Sequence, residues 1–403
     1  MSSNDSDTAR SEATPEKCGW SKFSESKLIE VEKKILNELC NIDLQPFSVL
    51  KTTYRTWFVP IGSTVGKNDK IWTILLNEES KNTPLVLLHG FAAGLCFWCL
   101  NFDTVAKERP VYAIDLLGFG RSTRPNFSSD CLEAEQQMVE SLEEWRKEVK
   151  LDNFILLGHS FGGYLATSYA SNYPDRVKHL ILADPWGFAE RPEKLNLPIW
   201  VKMLSILFYP LTYLNPLATV RAAGPIGPWL ISKVRNDLSQ KYGSIIDEKE
   251  TITEYIYHCN SQKPTGEAAF HSMRQGYAWA KNPMINRLDK LSNDIPLTIL
   301  YGENSWITRT TEEQLKNKRP NSYVKIEIIN SAGHHINADQ PELFNQTVKD
   351  VCKLTDSAQN SNGDITKEAD EEDNNYQETK NKIEPFNDED HKIENMQLTN
   401  HKI

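Results

Sequence analysis

The chain has 403 residues, of which 39% are hydrophobic, 25% charged and 10% aromatic; that is enough apolar material for a large core and too much for a wholly disordered chain. Its net charge of -10 is unevenly placed: residues 356–403 hold 13 acidic residues and five lysines, hence eight of the ten net negative charges, which leaves -2 for residues 1–355. A body so nearly neutral has no field suited to a polyanion, so nucleic acid is excluded as a partner.

Taken in chain order, residues 1–23 read as a flexible polar arm, with no basic-then-apolar leader in their Ser, Asp, Glu and Thr. Seven cysteines, an odd number at irregular spacings, agree with a reducing, intracellular compartment in which the sequons at Asn126 and Asn345 stay unmodified. Cys96 and Cys99 have C-x-x-C spacing, but no second pair exists and Phe97 and Trp98 lie between them, so buried thiols are expected. Residues 24–40 read as a helix with Leu28, Val31, Ile35 and Leu39 on one face. Two strands follow, at 50–60 and 70–77. Short unbroken apolar runs then recur at 84–88, 111–114, 154–157, 179–183, 296–301 and 323–329, the pattern of a parallel sheet covered on both faces. Between them, Met138, Leu142, Trp145 and Val149 repeat at helical spacing behind the cap candidates Ser129 and Asp130.

The rhythm breaks over 186–291, which reads as an inserted helical cap. Within it, residues 197–220 carry a single charge, Lys202, and are interrupted by Pro198, Pro210 and Pro216, so the stretch is a poor membrane span. Its apolar face suits either a shelter for a greasy substrate and a lipid surface, or burial against the core. The core is thus expected at 24–185 and 292–355, and residues 356–403 form an acidic, disordered tail.

Chemistry concentrates at Gly158-His159-Ser160-Phe161-Gly162, between an apolar strand and the helical run 164–173. This is a G-x-S-x-G elbow in the context it requires. The nucleophile of such an elbow sits on a sharp, strained turn, so its flanking positions must lack a Cβ, and the following helix aims its positive end at the site. Ser160 is therefore the expected nucleophile. A hydroxyl nucleophile needs a base, and His334, directly after Ala332-Gly333 and past the last strand, is preferred over His335. The oxyanion hole is expected from the N–H of Phe161 and that of Phe91, in the loop of His89-Gly90-Phe91.

The runs His89-Gly90-Phe91, Asp115-Leu-Leu-Gly-Phe-Gly-Arg-Ser122, Gly158-His-Ser-Phe-Gly-Gly163, Asp184-Pro-Trp-Gly-Phe188 and His334-His-Ile-Asn-Ala-Asp-Gln-Pro341 together resemble the α/β-hydrolase-domain 4/5 subfamily, over residues 18–355. The resemblance implies an α/β-hydrolase fold with an eight-stranded, mostly parallel sheet and an inserted helical cap. It also implies a role in lipid metabolism. One branch of that subfamily keeps the serine and is a lipase acting on N-acyl phosphatidylethanolamines and their lyso forms. The other carries asparagine there and is a lipid-droplet co-activator of a triglyceride lipase. Ser160 places this chain with the first. The subfamily's triad aspartate aligns with Thr308 of Tyr301-Gly-Glu-Asn-Ser-Trp-Ile-Thr308, so another acid must serve. Asp184, at the end of the sixth strand, is favoured over Glu303, in the loop after the seventh, because a strand end is the more rigid support.

His334 and Asp339 also form an H-x-x-x-x-D, the glycerolipid acyltransferase pattern, and the family is linked to lysophosphatidic acid acylation; the structural alternative is Asp339 as the N-cap of a following helix with Glu342 at its third position. Cys18-Gly19-Trp20 and the helix after it match the place of the family's tryptophan-rich lipid anchor, of which Trp20 and Phe23 remain. The expected protein is a serine lipase of glycerophospholipids without a metal or organic cofactor, peripheral on lipid droplets or cytoplasmic membrane faces. Its partners are a glycerophospholipid or acylglycerol, the lipid surface and, on the co-activator alternative, a triglyceride lipase.

Overall fold

The computed structural model describes residues 23–40, 52–62, 64–192, 217–243, 246, 250–276 and 279–358. The polar arm with Trp20, most of the apolar stretch at 197–220 and almost all of the acidic tail lie outside them. The chain divides into two units, 1–353 and 354–403, and the elements below belong to the first.

An amphipathic helix, α1 (Glu25–Cys40), precedes the antiparallel strands β1 (Tyr54–Pro60) and β2 (Lys70–Leu76). Then come β3 (Leu85–Leu88), β4 (Val111–Ile114), α2 (Cys131–Glu148), β5 (Phe154–His159), α3 (Phe161–Asn172) and β6 (Val177–Ala183). Between β6 and the next strand of the sheet lie α4 (Gly227–Val234), α5 (Asp237–Tyr242), α6 (Thr251–Asn260) and α7 (Thr265–Met273). The core resumes with β7 (Leu297–Gly302), α8 (Glu312–Lys318) and β8 (Val324–Ile329), and residues 341–353 are helical. Among the described residues the sheet has eight strands in the order β1-β2-β4-β3-β5-β6-β7-β8. Every neighbouring pair is parallel except β1 with β2 and β2 with β4.

The alternation of side chains along each strand explains the unbroken apolar runs. Val86, Leu88 and Leu156 feed a cluster with Met138, Trp145 and Tyr169 from α2 and α3, whereas Leu85, Leu87, Ile155 and Leu157 feed a second cluster on the opposite face. The second cluster includes Leu28, Val31, Ile35 and Leu36 of α1, all buried. The apolar face that resembled a lipid anchor is thus committed to the core. Glu32 of the same helix is buried as well, accepting from Trp72 Nε1 at 3.0 Å and Arg121 Nη1 at 2.6 Å. Burial, reinforced by the nearby Asp115 carboxylate, pushes its pKa up to about 7 against the pull of Arg121.

Helix α2 begins as its sequence dictates. Asp130 accepts from the N–H groups of Leu132 and Glu133, both at 3.0 Å, and its charge faces the positive end of the helix.

Candidate active site

The site forms where adjacent strands end together. β5 and β6 are in register at His159 and Ala183, so the next residues, Ser160 and Asp184, emerge side by side at the carboxyl edge of the sheet. β7 ends one strand further on, and the loop after β8 returns His334 to the same point.

Ser160 sits between β5 and α3 with φ 53° and ψ -117°, a backbone conformation that costs roughly 1–3 kcal/mol for a residue with a Cβ. The surroundings hold it there. Its N–H donates to Ala183 O at 3.0 Å, and its carbonyl accepts from the N–H groups of Gly163, Tyr164 and Trp186. The flanking glycines are needed for a measurable reason. A Cβ on Gly158 would lie 2.3 Å from Gly162 O, and one on Gly162 would lie 2.4 Å from Leu88 O of β3. The elbow therefore presses directly on the neighbouring strand.

The loop after β3 approaches from the other side, and a Cβ on Gly90 would meet the Ser160 Cβ at 3.1 Å. Neither the Phe161 N–H, at the start of α3, nor the Phe91 N–H donates to an acceptor among the described residues. Two unpaired donors beside a serine hydroxyl are what a developing oxyanion requires. The loop is pinned by His89, whose Nε2 accepts from Leu116 N–H at 3.0 Å and whose Nδ1 donates to Gly90 O at 2.7 Å. That pattern fits only the neutral ring, in keeping with burial pushing its pKa down to about 4. Ala92, at φ 60°, is held by Asn260 of α6, which donates from Nδ2 to the Ala92 carbonyl at 2.8 Å.

His334 completes the arrangement. Its Nε2 accepts from the Ser160 hydroxyl at 2.9 Å, and its Nδ1 donates to Asp184 Oδ2 at 2.6 Å. Asp184 is fully buried. It also has a positive φ, 48°, and its carboxylate receives two further donors, the Gly302 N–H at 3.2 Å and the Ser305 hydroxyl. His159, in the elbow itself, donates from Nε2 to the His334 carbonyl at 2.9 Å. Burial, with His334 close by, pushes the His159 ring down to about 3, so it serves this contact as a neutral donor. His335 does not reach Ser160; it lines the cavity, and burial holds its ring well below the ordinary histidine range.

The structure brings Ser160, His334 and Asp184 together and leaves Glu303 out. The exposed Glu303 carboxylate accepts the Ser331 N–H at 2.8 Å, because its position just after β7 faces the chain leaving β8 rather than the sheet edge. Thr308 is also exposed. Asp339 corrects another expectation. It is the last residue of a one-turn helix, Ile336–Asp339, rather than the first cap of the next one. Its carboxylate accepts the Gly333 N–H at 2.8 Å and pairs with Lys241 of α5 at 2.7 Å, so it ties the His334 loop to the insertion.

Three residues that the sequence did not single out stand next to this chain of bonds: His159, Ser305 and Trp306. The Trp306 ring centroid is 5.0 Å from that of His334, while the side chain is 56% exposed. Only His159 carried a signal, as the x of the elbow; a serine and a tryptophan in a loop have no pattern to read.

Ser160 and His334 open onto a cavity of about 660 Å³. Its walls are mostly apolar, with Phe91, Trp186, Leu230, Ile231 and Phe270 among them. The Phe91 and Phe270 rings stack at 4.3 Å, which joins the oxyanion loop to α7. A hydroxyl held against an imidazole, an acid behind it and two free donors ahead can carry out acyl transfer, and the apolar cavity suits an apolar acyl group.

Residues 83–341 match the model of the α/β hydrolase fold family. The 1-acylglycerol-3-phosphate O-acyltransferase ABHD5 of Mus musculus is 49% identical over 297 residues, which cover 72% of this chain and 84% of that protein. The (lyso)-N-acylphosphatidylethanolamine lipase of Homo sapiens is 43% identical over 326 residues, covering 80% and 93%. Among solved structures, a bacterial membrane phospholipase A superposes with a TM-score of 0.55 at 20% identity, covering 82% of this chain and 91% of that one; at that identity it speaks to the fold alone. The chain belongs to the α/β-hydrolase fold family and, within it, to the group formed by these two relatives.

Proposed function

We propose that this α/β hydrolase is a serine lipase that cleaves acyl esters of glycerophospholipids, with (lyso)-N-acyl phosphatidylethanolamine as the substrate class. The observation that carries this reading is the unbroken hydrogen-bond chain Ser160–His334–Asp184 in the wall of a largely apolar cavity. The headgroup class comes from the name of the 43%-identical human relative.

Ser160 attacks the ester carbonyl as His334 Nε2 takes its proton. Asp184 fixes the imidazole through Nδ1–H and stabilises the cation without itself being protonated. The carbonyl oxygen moves between the Phe91 and Phe161 N–H groups, each worth about 10²–10³ in rate. His334 then protonates the departing glycerol oxygen, leaving an acyl ester on Ser160. Water, activated by the same imidazole, releases the fatty acid. The cavity supplies binding energy by burying the acyl chain, at about 0.8 kcal/mol per methylene.

A second reading, acyl transfer to lysophosphatidic acid, is favoured by the name of the murine relative. Its chemistry differs only in the last step, where a lysophosphatidate hydroxyl replaces water at the acyl-Ser160. The engagement of Asp339 with Gly333 and Lys241 argues against a His334–Asp339 acyltransferase pair. A purified full-length chain, given lyso-N-acyl phosphatidylethanolamine with or without lysophosphatidic acid, decides between them. The lipase reading expects free fatty acid as the main product in both cases. Acylated lysophosphatidate as the main product favours the transferase. No turnover of any acyl lipid, with stimulation of an added triglyceride lipase, would make this protein a co-activator.

Attachment to a lipid droplet or a cytoplasmic membrane face is peripheral. No helix among the described residues is long and apolar enough to cross a membrane. Ile226, just before α4, and Trp229, within it, are large, apolar and more than half exposed, and Leu230, Ile231 and Val234 of α4 line the cavity. Lipid docked on this helix would lie next to the space its acyl chain must enter. Replacing Ile226 and Trp229 with serine is expected to weaken partitioning onto phosphatidylcholine vesicles by about tenfold or more. Unchanged partitioning would move the docking surface off α4.

A further inference from the structure

The loop that follows β7, residues 303–309, contains no acid that reaches His334, yet it is built around the acid that does. Ser305 donates its hydroxyl to Asp184 Oδ2, the same oxygen that accepts His334 Nδ1–H. The polarity of this bond is fixed. A carboxylate offers no proton, and the Ser305 oxygen is already an acceptor, taking the Ile307 N–H at 3.1 Å. Around it the loop is anchored on all sides. Ser305 N–H donates to Gly302 O at 3.2 Å, Asn304 N–H to Ala332 O at 2.8 Å, and Arg309 Nη2 to Gly302 O at 2.9 Å. Gly302 itself supplies a backbone donor to the other Asp184 oxygen. The next residue, Trp306, lies against the His334 ring.

From this geometry we infer that Ser305 is a positioning residue for the triad, setting both the orientation and the basicity of the Asp184 carboxylate; the inference rests on the lipase reading above. Asp184 comes from β6, and its backbone alone leaves the carboxylate free to rotate about its side-chain bonds. Two donors, the Gly302 N–H at the end of β7 and the Ser305 hydroxyl in the loop after it, hold one oxygen each and remove that freedom, and the oxygen left facing His334 is the one Ser305 holds. The hydroxyl also withdraws charge from that oxygen. Without it, the carboxylate would hold a protonated imidazole more tightly. The base would then lose activity at a higher pH, and it would be a poorer proton donor to the leaving alcohol. Ser160 stands ahead of His334, with His159 of the elbow and His335 alongside, both neutral at working pH. The charged groups nearby are Asp339 on the same loop, its partner Lys241, and Arg235 and Arg274 on the cavity wall, and none of them bonds to the His334 ring among the described residues. Asp184 is therefore the charge through which a change at Ser305 is felt.

The test uses the full-length chain with a p-nitrophenyl acyl ester, read as kcat, KM and the pH dependence of kcat/KM, with melting temperatures recorded alongside. Ser305→Ala is expected to lower kcat about tenfold or more, with KM within about twofold, and to move the acidic limb of the profile upward by about half a pH unit. Ser305→Thr, which keeps the hydroxyl, is expected to restore kcat to within about threefold and to return the limb to its original place. Wild-type kinetics in Ser305→Ala would overturn the inference while leaving the lipase reading intact. So would a loss of kcat that leaves the limb unmoved and is not rescued by threonine, since that is a purely structural role. A wild-type chain that neither turns over the ester nor reacts with a fluorophosphonate would overturn the lipase reading, and this inference with it.

Discussion

Ser160→Ala is expected to reduce ester hydrolysis by the purified chain by a factor of about 10⁴–10⁶, with little change in fold or melting temperature. The size follows from what the hydroxyl does. Without it no acyl-enzyme forms, and the Phe91 and Phe161 N–H groups can assist only a direct attack by water; in comparable triads, residual catalysis of that kind is a small remnant of the full rate. Stability is expected to survive because alanine fits the elbow. Ser160 carries its strain in the backbone, and the bonds that hold it there, from its N–H to Ala183 and to its carbonyl from Gly163, Tyr164 and Trp186, involve no side-chain atom. Among the described residues, the only side-chain bond lost is the one to His334. Loss of activity together with unfolding would be uninformative, so the melting temperature is part of the expected result. An alanine variant that is folded and retains more than a tenth of the activity would remove Ser160 from the mechanism.

Asp184→Asn is expected to lower kcat by about 10²–10⁴, and Glu303→Gln to change it by less than about threefold. An amide at position 184 can present its NH₂ to His334 Nδ1, which stabilises the tautomer with the proton on Nε2. That tautomer cannot accept the Ser160 proton. It also removes the charge that stabilises the imidazolium. Glu303 makes its hydrogen bond to Ser331, outside this chain of contacts. The double variant Asp184→Asn with Thr308→Asp is expected to stay inactive, because position 308 is exposed and the β7 loop is already fastened around Asp184. Recovery of activity in that double variant, or a larger effect at Glu303 than at Asp184, would return the acid to the β7 loop.

The sheet was legible because its strands are short, unbroken apolar runs, and burial on both faces is the only environment that tolerates them. The boundaries that shifted are those where hydrogen-bond geometry, rather than hydropathy, decides. Of the run expected at 50–60, residues 50–51 lie outside the described residues, residues 52–53 are not strand, and the strand begins at Tyr54, where pairing with Leu76 begins. Helix α3 starts at Phe161, three residues before its apolar pattern becomes readable. The elbow was legible because steric demand leaves a trace in composition: two positions without a Cβ around a serine, between a strand and a helix. What surrounds it was not. The Ser305 hydroxyl, the His159 donor on the His334 carbonyl and the Asn260 amide on the Ala92 carbonyl act through contacts made 121, 175 and 168 residues apart along the chain. No local pattern encodes such distances. Asp339 shows the converse error. Followed by Gln340-Pro341-Glu342, it reads as a helix cap, but the Gly333 N–H and Lys241 compete for its carboxylate and win it.

The most direct measurement is the mass of the intact chain after reaction with a fluorophosphonate, with the labelled peptide sequenced and lyso-N-acyl phosphatidylethanolamine hydrolysis followed in parallel. The serine-lipase account predicts one adduct per chain, on Ser160, slowed by the lipid substrate and accompanied by proportional loss of hydrolysis. An unlabelled Ser160, or full hydrolysis by a chain labelled there, would contradict it.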